Sequence, residues 1–161
     1  MRFTLLDRII ELEPGRKIGA VKTLSLSEEY LADHFPNAPV MPGVLMLEAL
    51  VQASAWLIRV SEDFAHSMVI LKQARGVKYA MFVTPGQTLE VSAEITGQNE
   101  NETKLKAKGT VDGAVAVSAK LVLERYNLAD RDSHQADTDD FNIHRLRQML
   151  SLLYPKEPAT A

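Results

Sequence analysis

One histidine and one glutamate stand close together, where closely spaced prolines lead into a long apolar run. His34 opens the string His-Phe-Pro-Asn-Ala-Pro-Val-Met-Pro-Gly-Val, and Glu48 lies fourteen positions beyond it. An imidazole titrates nearest neutral pH and can remove a proton, whereas a protonated carboxyl group can donate one. The two residue types at this spacing therefore predict an acid/base site.

Residues 44–58 predict a buried helix that would position Glu48. The run is apolar or small at almost every position, and a helix of that composition must be enclosed by other structure. Pro42 and Gly43 predict its beginning, with Pro42 at the first helical position, where a proline gives up no needed hydrogen bond. The run is shorter than a membrane span and contains polar residues, so we expect a core helix and no membrane span.

A narrow polar stripe interrupts this apolar run. Gln52 follows Glu48 by four residues and Arg59 lies seven further on, so the three fall near one face of the helix. The residues around Glu48 are of types that proteins bury, and an unpaired buried carboxylate is costly. Glu48 therefore needs a partner or a function. The competing interpretation is a loop histidine and a carboxylate that stabilises a helix start.

Alternation of apolar and polar residues predicts an antiparallel sheet. Pro14-Gly15 and Asp112-Gly113 supply turn signals, and Ser27 predicts the cap of a short helical turn over residues 27–31. One long helix followed by a meander indicates an α+β fold with a sheet curled around the helix. The predicted strands cover residues 9–12, 18–21, 68 to beyond 76, 89–95, 105–111 and 114–124.

The string from His34 to Gln52 resembles the signature of the 3-hydroxyacyl-acyl carrier protein dehydratases, the hot-dog enzymes of fatty-acid elongation. The resemblance covers roughly residues 4 to 125 and includes Leu6-Asp7-Arg8-Ile9 and Val83-Thr84-Pro85-Gly86. It implies a hot-dog fold with His34 and Glu48 as the catalytic pair. A sister branch that also isomerises its product carries aspartate at the acid position, so Glu48 favours the dehydratase-only, FabZ-type branch.

The reaction that the resemblance implies is loss of water from a (3R)-3-hydroxyacyl thioester to give a trans-2-enoyl thioester. We expect His34 to take the C2 proton and Glu48 to protonate or orient the departing C3 hydroxyl. The free amides of Gly43 and Val44 would face the developing enolate oxygen, because a helix N-terminus favours an anion. Gly43 would let the substrate approach closely, or serve only the turn, and the two interpretations are compatible. Gln52 is a further predicted substrate-binding residue.

The chain departs from the family's usual pattern at several positions. Asp33 and Asn37 stand where the family usually has glycines, while Tyr79-Ala80 and Pro85-Gly86-Gln87 replace its Phe-Arg and Pro-Gly-Asp. A carboxylate at Asp33 that points towards His34 would favour the imidazolium and weaken the ring as a base.

The composition is that of one domain with a tail. A chain of 161 residues that is 46% hydrophobic can bury one core, and the lack of cysteine excludes disulfides and thiolate chemistry. The start lacks the apolar run of a signal peptide, so we expect a cytoplasmic protein. A net charge of -3 gives no reason to expect nucleic acid. His134 and His144 are too isolated to indicate a metal site.

The resemblance also implies partners, and no resident cofactor. The substrate would be carried on the 4'-phosphopantetheine of acyl carrier protein. A helix wrapped by one sheet stays open on its other flank, so we expect a homodimer, with the family's trimer-of-dimers hexamer as a further expectation. In that family each site takes histidine from one chain and glutamate from the other. Lys72, Arg75 and Lys78 form a basic cluster. It could dock an acidic carrier protein, but ordinary solvated charge is the stronger interpretation.

We expect three parts along the chain: a hot-dog domain at 1–125, a loose acidic linker at 126–140, and an amphipathic helix with a tail at 141–161. Asp139 or Asp140 would cap that helix. We prefer docking on this chain or its dimer mate to a dedicated partner-binding helix. Its apolar stripe comprises Leu146, Met149, Leu150 and Leu153.

Two other functions compete with dehydration. Hot-dog proteins include thioesterases, which use a carboxylate and the same helix-start amides, and a non-catalytic acyl-binding subunit could use the C-terminal helix for docking. Retention of both His34 and Glu48 counts against a binder. An acyl tunnel could be lined by Met46, Leu47 and Met81, although ordinary core is the stronger interpretation for most of them.

Overall fold

A computed structural model describes residues 3–155 as one antiparallel sheet with a long helix against it and a second helix after it. Residues 1–2 and 156–161, which include the end of the predicted tail, lie outside the described residues. The elements are β1 (Arg8–Glu13), β2 (Lys17–Thr23), α1 (Gly43–Ser61), β3 (Met68–Tyr79), β4 (Thr88–Gln98), β5 (Glu102–Val111), β6 (Ala114–Tyr126) and α2 (Ala136–Leu153), with 3-10 turns at Glu29–Leu31, Leu128–Asp130 and Ser133–Gln135.

The sheet has the strand order β1-β2-β4-β5-β6-β3, so β1 and β3 form its two edges. Each neighbouring pair is antiparallel, and α1 packs against β2, β3, β4, β5 and β6. The predicted α+β arrangement, with the sheet around the helix, is confirmed. The core lies between α1 and the inward-facing residues of the strands, such as Leu89, Leu105 and Leu121.

Glycines are required at the turn into β6 and inside β5. Asp112 and Gly113 have φ angles of 50° and 81°, the left-handed pair that a two-residue hairpin turn needs. A Cβ at Gly109 would lie 2.8 Å from a methyl carbon of Leu89 and 2.9 Å from one of Val117. The predicted Asp-Gly hairpin is therefore confirmed, and Gly109 lets two core side chains close over β5.

Helix α1 is the predicted core helix, although it begins one residue later than expected. Pro42 precedes the first helical residue, Gly43, and its carbonyl accepts hydrogen bonds from the amides of Leu45 and Met46. By length and hydropathy alone α1 could cross a membrane, but 56% of its most apolar 18-residue window is buried inside the fold. Its apolar character is explained by the sheet that it packs against.

The predicted cap at Ser27 is wrong. The short helical turn covers Glu29–Leu31, is preceded by Glu28 and has no side-chain cap. The hydroxyl of Ser27 lies 2.9 Å from that of Ser25 instead. Serine hydroxyls often form such local hydrogen bonds, which compete with capping.

The segment predicted as a loose acidic linker is ordered in the structure. Two 3-10 turns fill residues 128–135, and α2 starts at Ala136, inside the predicted linker. Asp139 is only 5% exposed and accepts hydrogen bonds from the hydroxyl of Ser67 and the amides of Leu128 and Ala129. The expectation that Asp139 or Asp140 caps α2 is wrong, because Gln135 precedes the helix and Asp139 binds the turn before it.

Helix α2 docks on the same chain, as the preferred interpretation of its apolar stripe predicts. Leu153 is buried, and the other three residues of the stripe pack against the core. Arg147 adds an ion pair of 2.9 Å with Asp63 and stacks over the ring of Phe64. The C-terminal helix is therefore packed against the core as part of the domain.

Candidate active site

The imidazole of His34 is held in one tautomer by the loop that contains it. Its Nδ1 lies 2.9 Å from the carbonyl oxygen of Val40, and because a carbonyl can only accept, Nδ1 must carry the proton. The amide of Val40 donates to the carbonyl of His34 at 3.0 Å. The ring of Phe35 stacks on the imidazole at 4.5 Å between centroids. In the neutral ring, Nε2 is therefore left with a free lone pair, as a general base requires.

The end of the His34 loop that leads into α1 is fixed by prolines and by one backbone hydrogen bond. The amide of Met41 donates to the carbonyl of Val83 at 2.8 Å, which ties the chain just before α1 to the segment that follows β3. Pro39 and Pro42 favour extended backbone on either side of this contact. His34 and the start of α1 are thus held in a fixed relation within the chain.

Asp33 forms no hydrogen bond or ion pair with the His34 ring within residues 3–155. Its side chain is exposed, and the Nδ1 of the ring is already occupied by the carbonyl of Val40. Asn37 is exposed in the same loop. Neither of the two departures from the family's glycines supplies the hydrogen bond that holds the imidazole.

Glu48 is half-buried on α1 and has one oriented oxygen. Gln52 donates from Nε2 to Oε1 of Glu48 at 2.9 Å. The other oxygen, Oε2, has no hydrogen-bond donor among the described residues. A carboxyl group that accepts at one oxygen can carry its proton on the other, so this arrangement suits a general acid.

The amide of Gln52 is itself fixed by the N-terminal segment. Its Oε1 accepts a hydrogen bond from the amide of Leu5 at 2.9 Å, and its Nε2 also donates to the carbonyl of Phe3 at 3.2 Å. These contacts determine which end of the side-chain amide faces Glu48. Gln52 thus holds one oxygen of Glu48 in place, while its predicted contact with substrate stays a prediction.

Glu48 and Gln52 line a cleft of about 620 Å³ between α1, the start of β3 and α2. His34 is not among the residues that line it. The described chain therefore does not bring His34 into this cleft with Glu48. Apolar side chains form much of the cleft wall, among them Val51, Ala55, Trp56, Val69, Leu146 and Met149.

The start of α1 presents two free backbone donors. Among residues 3–155 the amides of Gly43 and Val44 have no hydrogen-bond acceptor, as expected for the first residues of a helix. A Cβ at Gly43 would lie 3.1 Å from the ring of Tyr79. In the described chain it is therefore the Tyr79 ring that approaches Gly43 closely, a reason for this glycine that the sequence did not reveal.

Several large apolar side chains near the helix start are exposed to solvent. Tyr79 lies against Gly43, Val44 follows that glycine, and Met81 and Phe82 come just before Val83, whose carbonyl accepts from Met41. An exposed apolar patch of this kind indicates a surface that another molecule covers. Its members are Phe35 at 55%, Val44 at 68%, Tyr79 at 49%, Met81 at 36% and Phe82 at 70% exposure.

The three candidate tunnel residues differ in how deeply they are buried. Met46 is a core residue, 2% exposed, and Leu47 is half-buried against the core. Met81 belongs to the exposed apolar patch. Within residues 3–155 there is no cluster of three or more histidine, aspartate or glutamate side chains that could hold a metal ion.

Comparisons with known proteins agree on one family. The family model for FabA-like domains matches residues 1–120. The 3-hydroxyacyl-[acyl-carrier-protein] dehydratase FabZ of Ruminiclostridium cellulolyticum is 41% identical over 119 residues, which are 74% of this chain and 84% of that protein.

Solved structures support the fold. The dehydratase heterocomplex ApeI:P from Xenorhabdus doucetiae has a TM-score of 0.65 at 20% identity and covers 83% of this chain and 90% of its own. A hypothetical thioesterase with coenzyme A from Streptococcus pneumoniae has a TM-score of 0.57 at 14% identity and covers 73% of this chain and 86% of its own. At these identities both likenesses bear on the fold alone, and the predicted hot-dog fold is confirmed.

Proposed function

This chain belongs to the FabA-like family, and on that premise we propose that it dehydrates 3-hydroxyacyl thioesters of acyl carrier protein to 2-enoyl thioesters. Its FabZ relative and the glutamate at position 48 assign it to the FabZ-type branch. The observation that carries the proposal is the His34 ring, whose Nδ1–H donates to Val40 and whose Nε2 is left as a base. The reaction serves fatty-acid synthesis or a related pathway.

The geometry suggests how the two side chains would divide the chemistry. Nε2 of His34 takes the C2 proton, and the electrons of that bond move towards the thioester carbonyl, whose oxygen would receive hydrogen bonds from the amides of Gly43 and Val44. As the C2–C3 double bond forms, the C3–O bond breaks. Oε2 of Glu48 gives its proton to the departing hydroxyl, which leaves as water, while Gln52 holds Oε1.

We further propose that each site is completed by a second copy of the chain. His34 does not line the cleft that contains Glu48, and edge strand β3 has no neighbour on its outer side within the described chain. Ile70 and Leu71 on that strand are more than a third exposed. A homodimer paired through β3 would cover this edge and the apolar patch around the helix start.

The activity is tested with purified protein and 3-hydroxybutyryl and longer 3-hydroxyacyl thioesters, on acyl carrier protein and on coenzyme A. We expect absorbance of the conjugated enoyl product to rise without release of free thiol. Thiol release without enoyl product would replace the proposal with the thioesterase alternative. Binding without either product would favour the non-catalytic acyl-binding subunit.

The shared site is tested by mixing two inactive variants, His34→Ala and Glu48→Gln, under conditions in which subunits exchange. If each site takes one residue from each chain, every mixed dimer contains one intact site and one site with both substitutions. Because half of the dimers are then mixed, we expect about a quarter of the wild-type activity to return. No recovery, with exchange shown by a mass-tagged subunit, would place both residues in sites built from single chains.

Carrier docking, the hexamer and the cytoplasmic location remain proposals from the sequence. Of the predicted basic cluster, Lys72 is paired with Glu102 at 2.5 Å. Arg75 and Lys78 form no ion pair within residues 3–155. These two are the members of the cluster that are free to meet an acidic carrier protein.

A further inference from the structure

Arg59 lies in the same cleft as Glu48 and has no anionic partner among residues 3–155. It is three helical turns further along α1, about 16 Å away along the helix axis. Its Nε atom is buried without a hydrogen-bond acceptor. The guanidinium stacks on the ring of Trp56 with 5.5 Å to the centroid. Burial lowers the pKa of Arg59 to about 10, against the opposing effect of Glu62, so the group is charged at neutral pH.

The nearest carboxylate along the chain is already occupied. Glu62 lies 3.0 Å from His66 through Oε1 and 3.4 Å from Nε of Arg125 through Oε2. It therefore modulates Arg59 only through space. A buried donor such as Nε of Arg59 is costly to leave without an acceptor, so this side chain is expected to meet an anion or acceptor that enters the cleft.

Apolar and polar side chains both line the cleft between Glu48 and Arg59, and helix α2 provides one of its walls. Helix α2 supplies Leu146 and Met149 to that wall, and α2 lies beyond residue 120, where the match to the FabA-like model ends. Arg145 of α2, which is exposed, is also part of the lining. The result is a cleft of mixed apolar and polar lining that contains the carboxyl group of Glu48 and the cationic side chains of Arg59 and Arg145.

We propose that this cleft receives the distal part of the acyl chain and that Arg59 binds a carboxylate at its end. The preferred substrates would then be 3-hydroxyacyl thioesters that carry a terminal carboxylate in place of a terminal methyl group. The inference rests on the proposed function, because it takes the acyl thioester and the role of Glu48 as given.

The preference for a terminal carboxylate follows from how the end of the acyl chain interacts with the guanidinium of Arg59. A terminal carboxylate can accept two parallel hydrogen bonds from Arg59, the strongest arrangement for this pair. A terminal methyl group would displace water from the same donors and leave them unpaired. Sites built to hydrogen-bond one group discriminate strongly against analogues that lack it.

The experiment compares two 3-hydroxyacyl thioesters with the same number of carbons, one ending in a methyl group and one in a carboxylate. We expect wild-type kcat/KM to be at least about tenfold higher for the carboxylate substrate. Arg59→Met should reduce that preference at least about tenfold, mainly through KM for the carboxylate substrate. Equal use of both substrates by the wild type, or an equal loss on both in Arg59→Met, would overturn the inference.

Arg131→Met is the matched control, because Arg131 also stacks on an aromatic ring, that of Tyr126 at 4.2 Å, but does not line the cleft. It should leave the ratio of the two substrates unchanged. If Arg59→Met does not fold, Arg59→Lys keeps the charge without the two-pronged contact, and we expect it to weaken the preference without reversing it.

A third substrate separates this inference from the proposed function. The 3-hydroxybutyryl thioester is too short to reach Arg59, so its dehydration reports on the reaction alone. Turnover of this substrate without a preference between the two long ones refutes the inference and leaves the function intact. If it is not turned over, calorimetry with the matching pair of non-reactive pantetheine amides still measures the preference, and equal affinities would refute it.

Discussion

Glu48 of α1 and Asp139 of α2 are two carboxylates with opposite surroundings. Asp139 is buried and receives three hydrogen bonds, from Ser67 and from the amides of Leu128 and Ala129. Glu48 receives one, from Gln52, and lines a cleft. A carboxylate with several fixed donors is stabilised in its charged form and joins parts of the chain, whereas one with a spare oxygen beside a cavity can exchange a proton. The contrast separates a structural role from a chemical one.

The sharpest way to break this contrast is Glu48→Gln. The variant keeps the size of the side chain but removes the proton donor, so we expect kcat for a 3-hydroxyacyl thioester to fall by about 10²–10⁴-fold with the thermal unfolding midpoint little changed. Enoyl absorbance measures the rate. Glu29→Gln makes the same chemical change at an exposed position and should retain full activity. Near-normal turnover in Glu48→Gln would remove the acid role from this residue.

The converse prediction concerns Asp139→Ala, which should affect stability and not chemistry. Removal of the carboxylate leaves three donors without their acceptor, and we expect the free energy of unfolding to fall by about 2–3 kcal/mol. Urea titration provides the measurement. Asp140→Ala, on the exposed neighbour in the same helix, should change it by less than about 0.5 kcal/mol. Comparable losses of unfolding free energy in both variants would show that the buried hydrogen bonds of Asp139 do not stabilise the fold.

The sequence predicted the Glu48 side of this comparison better than the Asp139 side. The neighbours of Glu48 are local and periodic, so spacing predicts the helix and the face that Glu48 shares with Gln52, although Gln52 was expected to contact the substrate. Asp139 binds Ser67, 72 positions away, and no local pattern records such a contact. A polar segment was therefore predicted to be a loose linker, because polar residues usually face solvent.

The same limit applies within the candidate site. The His-Phe-Pro string indicates a catalytic histidine, but its partner is the backbone carbonyl of Val40, which any residue type could provide. From the sequence, Gly43 is explained by the substrate or by the turn, whereas in the structure Tyr79 packs against it from the end of β3. Arg59 was placed on the right helix face, yet its missing partner becomes evident only when the cleft is assembled.

A smaller effect is expected when Glu48 is kept and its positioning residue is changed. Gln52→Met removes the hydrogen bond to Oε1 of Glu48, so we expect kcat to fall about tenfold with little change in KM, a difference of about 1.4 kcal/mol in the barrier. Gln52 also holds Leu5 and Phe3, so stability is measured in parallel. A purely structural role would shift the unfolding midpoint and leave kcat unchanged in the folded protein.

The smallest predicted effect is the pH dependence of the Asp139 contribution. Burial alone would raise the pKa of Asp139, but the hydrogen bonds from Ser67 and from the amides of Ala129 and Leu128 outweigh it and lower the pKa below its ordinary value of 3.8. The unfolded chain therefore binds this proton more readily than the folded chain. The stabilisation is complete above the ordinary pKa and is lost as the pH falls through the lower, folded value.

Urea titrations of the wild type and Asp139→Asn between neutral pH and pH 3 test this prediction. The wild type should be the more stable protein at neutral pH, and the difference should shrink only at the acid end of the series, because the fold keeps the carboxylate charged until then. A difference that already disappears near pH 6 would mean that Asp139 holds its proton in the fold. It would then resemble a reactive acid, and the distinction from Glu48 would have to rest on access to the cleft rather than on the number of donors.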